Sequence, residues 1–208
     1  MSGTSAKEGD VLAQSSGLTD RSHGHGTSPG GTLARKGVLC FDCGTVNKTS
    51  AKASSTQCSS CGVFIDLRDV EIRERSTQRV RTRGNVTIHK KGALLGTSVF
   101  CGNLIVEGTV SCSIYAQGSV EFHNDAKIIG EIRCNHLVVD RRHEVSAQQA
   151  VHLKTLDLQG TLSARVFAAE RVEIGRRGDF RGSLTTPALR LAAGGGLAGV
   201  MRIGHGEA

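Results

Sequence analysis

The chain has 208 residues, a formal net charge of +7 and a sequence pI near 9.3, with 27 Gly, two Pro, no Trp, one Tyr and six Phe. So few aromatic rings exclude a bulky globular core, and burial has to come from Val, Ile and Leu in a thin, regularly stacked interior. No run of about 18 apolar residues exists to span a bilayer as a helix, the first residues lack the basic start and apolar stretch of a secretory signal, and seven cysteines leave at least one outside any disulfide scheme.

Residues 1–36 are rich in Gly, Ser and Thr around "SHGHGTSPGG" and show neither helical nor strand periodicity, which predicts a disordered tail. His23 and His25 stand between glycines without the further ligands that a metal site needs.

Residues 37–67 contain "CFDCG" and "CSSCG", which place Cys40, Cys43, Cys58 and Cys61 in two Cys-x-x-Cys-Gly turns with 14 residues between the pairs. The two-residue gap lets both thiolates of a turn face one ion, and the glycine permits the tight bend behind them. Two such knuckles predict a zinc ribbon with a tetrahedral four-sulfur site for structural Zn2+, which leaves no position for a catalytic water. A redox role would call for a thioredoxin-like βαβ unit, and no such pattern surrounds either pair. The segment between the knuckles, "NKTSAKASS", is basic without aromatic residues for base stacking, which favours a protein partner for the ribbon over nucleic acid.

Residues 68–85 form an arginine-rich connector in which six Arg outnumber three acidic residues. It reads as a solvated linker with some strand character around Val70 and Ile72, while Arg73, Arg75, Arg79, Arg81 and Arg83 are the candidates for contact with nucleic acid or another acidic partner.

From residue 86 to 203 one pattern recurs seven times. Two turn columns, Gly92, Gly108, Ala126, His143, Gly160, Gly178, Gly195 and Gly96, Cys112, Gly130, Ala147, Ala164, Gly182, Gly199, both advance by 16, 18, 17, 17, 18 and 17 residues. Between them lies an apolar column, Leu94, Val110, Ile128, Val145, Leu162, Phe180, Leu197. Two further apolar columns precede the turn: Val86, Leu104, Val120, Leu137, Leu156, Val172, Leu189 and Ile88, Val106, Phe122, Val139, Leu158, Ile174, Leu191. Alternation with a period of two means strands with one buried face, and a period near 17 brings each set of strands back one layer higher. This predicts an all-β protein, a β-solenoid of about seven coils of 16–18 residues and on the order of 30 Å long at about 4.8 Å per layer, ending in a short tail at 204–208. The steps argue against the left-handed hexapeptide helix, and the pattern itself does not fix handedness. Cys112 and Cys134 fall at inward positions and read as buried thiols; Cys101 reads as a corner residue with no assigned role.

The segment from about 84 to 203 closely resembles the bactofilins, the bacterial polymer-forming cytoskeletal family, through "LIVEGTVSCSIYAQGSVEFHNDAKIIGEIRCNHLVV" and the closing "LRLAAGGGLAGVMRI". The resemblance implies a right-handed β-helix that polymerises end to end without nucleotide and serves as a cytoplasmic scaffold, with the chain itself as principal partner. The short apolar N-terminal tail by which some members touch membrane is not visible here, so any membrane contact is expected to be peripheral, at the inner face. The cysteine module is a departure that points to other partners.

The coil ends point the same way without the family. A stack of strands exposes unpaired backbone and apolar side chains wherever it is uncapped. The last coils supply Phe180, Leu189, Leu191, Leu197, Met201 and Ile203, and "GHGEA" after them is too short for a helical lid. These residues, Phe180 through Met201, are the expected polymer contacts.

No catalytic constellation emerges. "AAGGGLAG" lacks the lysine and the strand-to-helix setting of a phosphate loop, and "DRRHE" at Asp140–Glu144 reads as a polar corner. A non-enzymatic scaffold is the leading expectation, and a nucleic-acid-binding protein built on ribbon and connector is the alternative.

Overall fold

The computed structural model describes residues 34–204. The expected tails fall almost entirely outside the described residues, as do His23 and His25. Among the described residues there are strands and no helix.

Two antiparallel hairpins come first: Arg35–Leu39 pairs with Val46–Ser50, and Ser55–Gln57 with Phe64–Asp66. Each turn is one of the cysteine pairs. Gly44 and Gly62 have φ of 70° and 71°, a left-handed conformation that costs glycine little. Behind the turns Val38, Cys40, Cys58, Ile65 and Leu67 form a small buried cluster.

The rest is a β-solenoid of eight coils whose strands pair in parallel on three faces. The extra coil is the segment expected to be a connector. Val70–Ile72 pairs with Val86–Ile88, Arg75–Ser76 with Ala93–Leu94, and Val80–Arg81 with Val99 and Phe100. Its charged residues point outward or into corners while Ile72 is buried, so charge density concealed a coil that keeps the inward alternation.

The first face carries the two columns before the turn in the expected register: Val86 pairs in succession through Leu104, Val120, Leu137, Leu156 and Val172 to Leu189, and Ile88 rises in parallel to Leu191. The second face requires one correction. Ala126 pairs with Val145 and Ile128 with Ala147, so Ile128 stands one inward position beyond the row of Val145, Leu162, Phe180 and Leu197. A slip of two residues keeps every side chain on its own side of the sheet, and alternation alone is blind to it.

The third face carries an inward row absent from the sequence columns: Val80, Val99, Ile114, Ile132, Val151, Val166, Leu184 and Met201. Cys101 belongs beside it. It is fully buried and pairs with Ala116, so its assignment to a corner is corrected to an inward strand position. Burial pushes the Cys101 and Cys134 thiols up to about 12 and that of Cys112 up to about 11. All three are inert core groups.

The corners satisfy the backbone between strands. Asn85 N–H donates to Asp69 Oδ1 at 2.7 Å, Asn103 Nδ2 donates to Asn85 Oδ1 at 2.9 Å, and Ser119 N–H donates to Asn103 Oδ1 at 2.8 Å. This side-chain ladder climbs one edge with the rungs.

Candidate functional site

The two hairpin turns bring four sulfur atoms together. Cys40, Cys43, Cys58 and Cys61 Sγ all lie within 4.8 Å of one another, with Cys40 and Cys61 at 3.6 Å and Cys43 and Cys58 at 3.4 Å. These cysteines are free thiols, and a tetrahedron with metal–sulfur bonds of about 2.3 Å has edges of about 3.8 Å. The donor set therefore fits a metal ion that takes four sulfurs.

The electrostatics agree. The Cys61 backbone amide holds Cys58 down to about 6, whereas Cys61, despite the Val63 amide, is pushed up to about 12 by burial and by the neighbouring thiols. Four sulfurs this close do not share negative charge without a cation between them. Asn47, which the sequence did not single out, locks the two turns together: its Nδ2 donates to Thr45 O at 3.0 Å, and its Oδ1 accepts from Ser59 N–H at 2.8 Å.

The module is joined to the solenoid through arginines. Arg83 Nε donates to Leu39 O at 2.8 Å, and its guanidinium lies 4.2 Å from the Phe41 ring centroid. Arg81 pairs with Asp42 and also covers Phe41. Arg79 lies over Phe100, which stacks on Tyr115 at 4.8 Å, the spacing of one rung. Of the arginines expected to face an acidic partner, Arg83 is thus half-buried structural material, and Arg73 is committed to Glu71 at 2.5 Å. Arg75 is exposed without an ion pair among the described residues. The aromatic contacts were missed because Phe41, Phe100 and Tyr115 are far apart in sequence.

The far end of the solenoid is open. Gly196–Ile203 pairs only with the coil beneath it, and Leu189–Leu191 likewise, so among the described residues one edge of each strand has no partner. The inward columns surface here, with Leu191 49%, Met201 44% and Ile203 58% exposed. Leu189 and Leu197 are half-buried. Phe180 is fully buried beneath Leu197, and its expected place at the polymer contact is corrected to the core of the penultimate coil.

A parallel β-solenoid with an open apolar end defines a class of protein whose ends are suited to stacking. Residues 55–150 match the family model Bactofilin, described as polymer-forming cytoskeletal. The match spans the second cysteine turn and the first coils, and the parallel rungs continue beyond it to Ile203. No curated protein and no solved structure matches the chain.

Proposed function

We propose that this protein is a non-enzymatic cytoskeletal scaffold that assembles without nucleotide by end-on stacking of solenoids, while its cysteine module, closed by Zn2+, acts as an adaptor for a protein partner. The observation that carries the reading is the open last coil. Its inward columns end in exposed Leu191, Met201 and Ile203, beside backbone groups that lack a rung above them among the described residues. Another coil placed on this edge would extend the parallel pairing and cover the apolar end at once. In such a filament the module rides on the side of the rod, tied there by Arg81 and Arg83. A cytoplasmic location belongs to the same reading, supported by a four-sulfur donor set that needs reduced thiols.

Negative-stain microscopy of the full chain without nucleotide tests this. Filaments are expected from the native protein, and discrete particles with an unchanged β-rich circular dichroism spectrum from Met201→Arg or Ile203→Arg. Discrete particles from the native chain would refute self-assembly. Both side chains are already exposed in the single chain, so a charge there does not have to be buried for folding.

A further inference from the structure

Each coil turns from its first to its second face through a corner, and these corners line one edge of the rod. Three of them are four-residue turns carrying a basic pair at the tip: Lys90 and Lys91 in the second coil, Arg141 and Arg142 in the fifth, Arg176 and Arg177 in the seventh. Each is closed by a backbone hydrogen bond, Gly92 N–H to His89 O at 2.7 Å, His143 N–H to Asp140 O at 3.4 Å, and Gly178 N–H to Gly175 O at 3.0 Å. The basic residues therefore sit at the two central positions of a turn, where side chains project away from the rod. Arg142 adopts φ of 68° to do so.

All six are exposed, and none forms an ion pair among the described residues. Elsewhere on the rod Arg73, Arg133, Arg171 and Arg181 each pair with a carboxylate two residues away. Three carboxylates near these corners are engaged with other groups, while Glu144, beside the fifth coil's corner, is exposed with no side-chain partner among the described residues. Asp140 accepts from Arg141 N–H at 2.7 Å and faces His123 at 3.2 Å, Asp157 accepts from Gln159 Nε2 at 2.8 Å, and Asp179 pairs with Arg181.

Corner length then shapes a site. The sixth coil turns with only Gln159 and Gly160, so its corner is recessed between the dibasic corners of the fifth and seventh coils, which are two rungs or about 10 Å apart. The result is a notch of about 720 Å³ lined by Arg141 of the fifth coil, Gln159 of the sixth, Arg176 and Arg177 of the seventh and Ala192 to Gly194 of the eighth. Three guanidinium groups around one cavity exceed what a carboxylate can use, since its two oxygens satisfy a single fork. A phosphate offers three or four oxygens around a compact charge and can engage several forks at once.

We propose that this notch is a phosphate-binding site, taking the phosphate group of a lipid headgroup or of a free phosphorylated compound. It runs along the corner edge of the rod and reaches the corner of the last coil, beside the assembly end.

Two arms distinguish the sources. The full-length chain is titrated calorimetrically with inorganic pyrophosphate, and separately floated with vesicles of phosphatidylglycerol or of phosphatidylcholine alone. Saturable binding of pyrophosphate identifies a free ligand. Flotation with phosphatidylglycerol vesicles that excess pyrophosphate competes away identifies a headgroup held in the same notch. In either case the triple variant Arg141→Gln, Arg176→Gln, Arg177→Gln should weaken binding on the order of ten- to hundredfold, and Lys90→Gln with Lys91→Gln on the same edge by less than about threefold, with circular dichroism and filaments unchanged in both. Absence of binding in both arms overturns the proposal. Equal losses in the two variants also overturn it, since they would mean diffuse charge, as would binding confined to double-stranded DNA.

Discussion

The cysteine module and the solenoid solve the same problem, holding short strands together, with opposite means. The solenoid buries thirty-three core residues in continuous rows, and each coil is cemented by its neighbours. The module has five, two of them metal-ligand candidates, which is too little apolar area to offset the entropy of ordering its two hairpins. One region is therefore held by repetition and the other, on the proposed reading, by a closed coordination sphere. The sharpest way to break this comparison is to remove the metal. Chelation, or Cys58→Ser, should abolish amide-exchange protection at Val38 and Ile65, since structural zinc contributes about 10 kcal/mol or more to such modules. Protection at Val120, Leu137 and Leu156 should persist. Simultaneous loss in both regions would show that the solenoid depends on the module.

The next effect belongs to the solenoid alone. Phe180 and Phe122 are fully buried large side chains, and Phe180→Ala should lower unfolding free energy by about 3–5 kcal/mol through lost burial and a residual cavity. The urea midpoint should fall, while zinc content, read by a chelating dye, stays unchanged.

The three inward cysteines sharpen the contrast by their pH behaviour. Cys101, Cys112 and Cys134 have thiols raised to about 12, 11 and 12, above the ordinary value of 9.0. Above pH 9 the unfolded chain releases these protons and the folded chain retains them, so the unfolded state binds fewer protons and stability falls as pH rises towards 11–12. The slope is at most about 1.4 kcal/mol per pH unit for each thiol. Denaturation midpoints between pH 8.5 and 10.5 should decline, and less steeply in Cys101→Ala. At pH 8 a thiol reagent should leave all three untouched in the native protein.

The same two devices explain what could be read in advance. Spacing alone revealed the four sulfurs, because a Cys-x-x-Cys-Gly turn has few conformations and its ligands are adjacent in sequence. The first-face columns were legible too, because Val86 through Leu189 are apolar in every coil. The first coil was hidden because Arg73, Arg75 and Arg79 mask an alternation with only Val70, Ile72 and Val80 to show for it. The third-face row was hidden because corner lengths vary between strands, so Val99 to Ile114 spans 15 residues and Ile132 to Val151 spans 19. Ile128 slipped by two because Ala126 and Ile128 are both small or apolar, and either suits the inward row. What no spacing could reveal is the junction, where Arg83, Leu39 and Phe41 meet across more than forty positions.

That junction carries the smallest effect and tests whether the two regions are coupled at all. Arg81 and Asp42 are both substantially exposed, and breaking their pair should cost no more than about 1 kcal/mol. Arg83 is different. Burial lowers its pKa from the ordinary arginine value, yet its charge is retained because Leu39 O and Cys40 O accept its hydrogen bonds and the Phe41 ring covers it. In Arg83→Gln those carbonyls lose a charged donor and the ring loses its cation, at a cost of about 1–2 kcal/mol. The expected signature is local: faster amide exchange at Leu39 and Phe41 and a module that loses zinc more readily to a competing chelator, with the solenoid's urea midpoint unmoved. A fall in that midpoint as large as the one from Phe180→Ala would mean that the solenoid's first coil is held in place from outside by the module, and that repetition alone does not stabilise it.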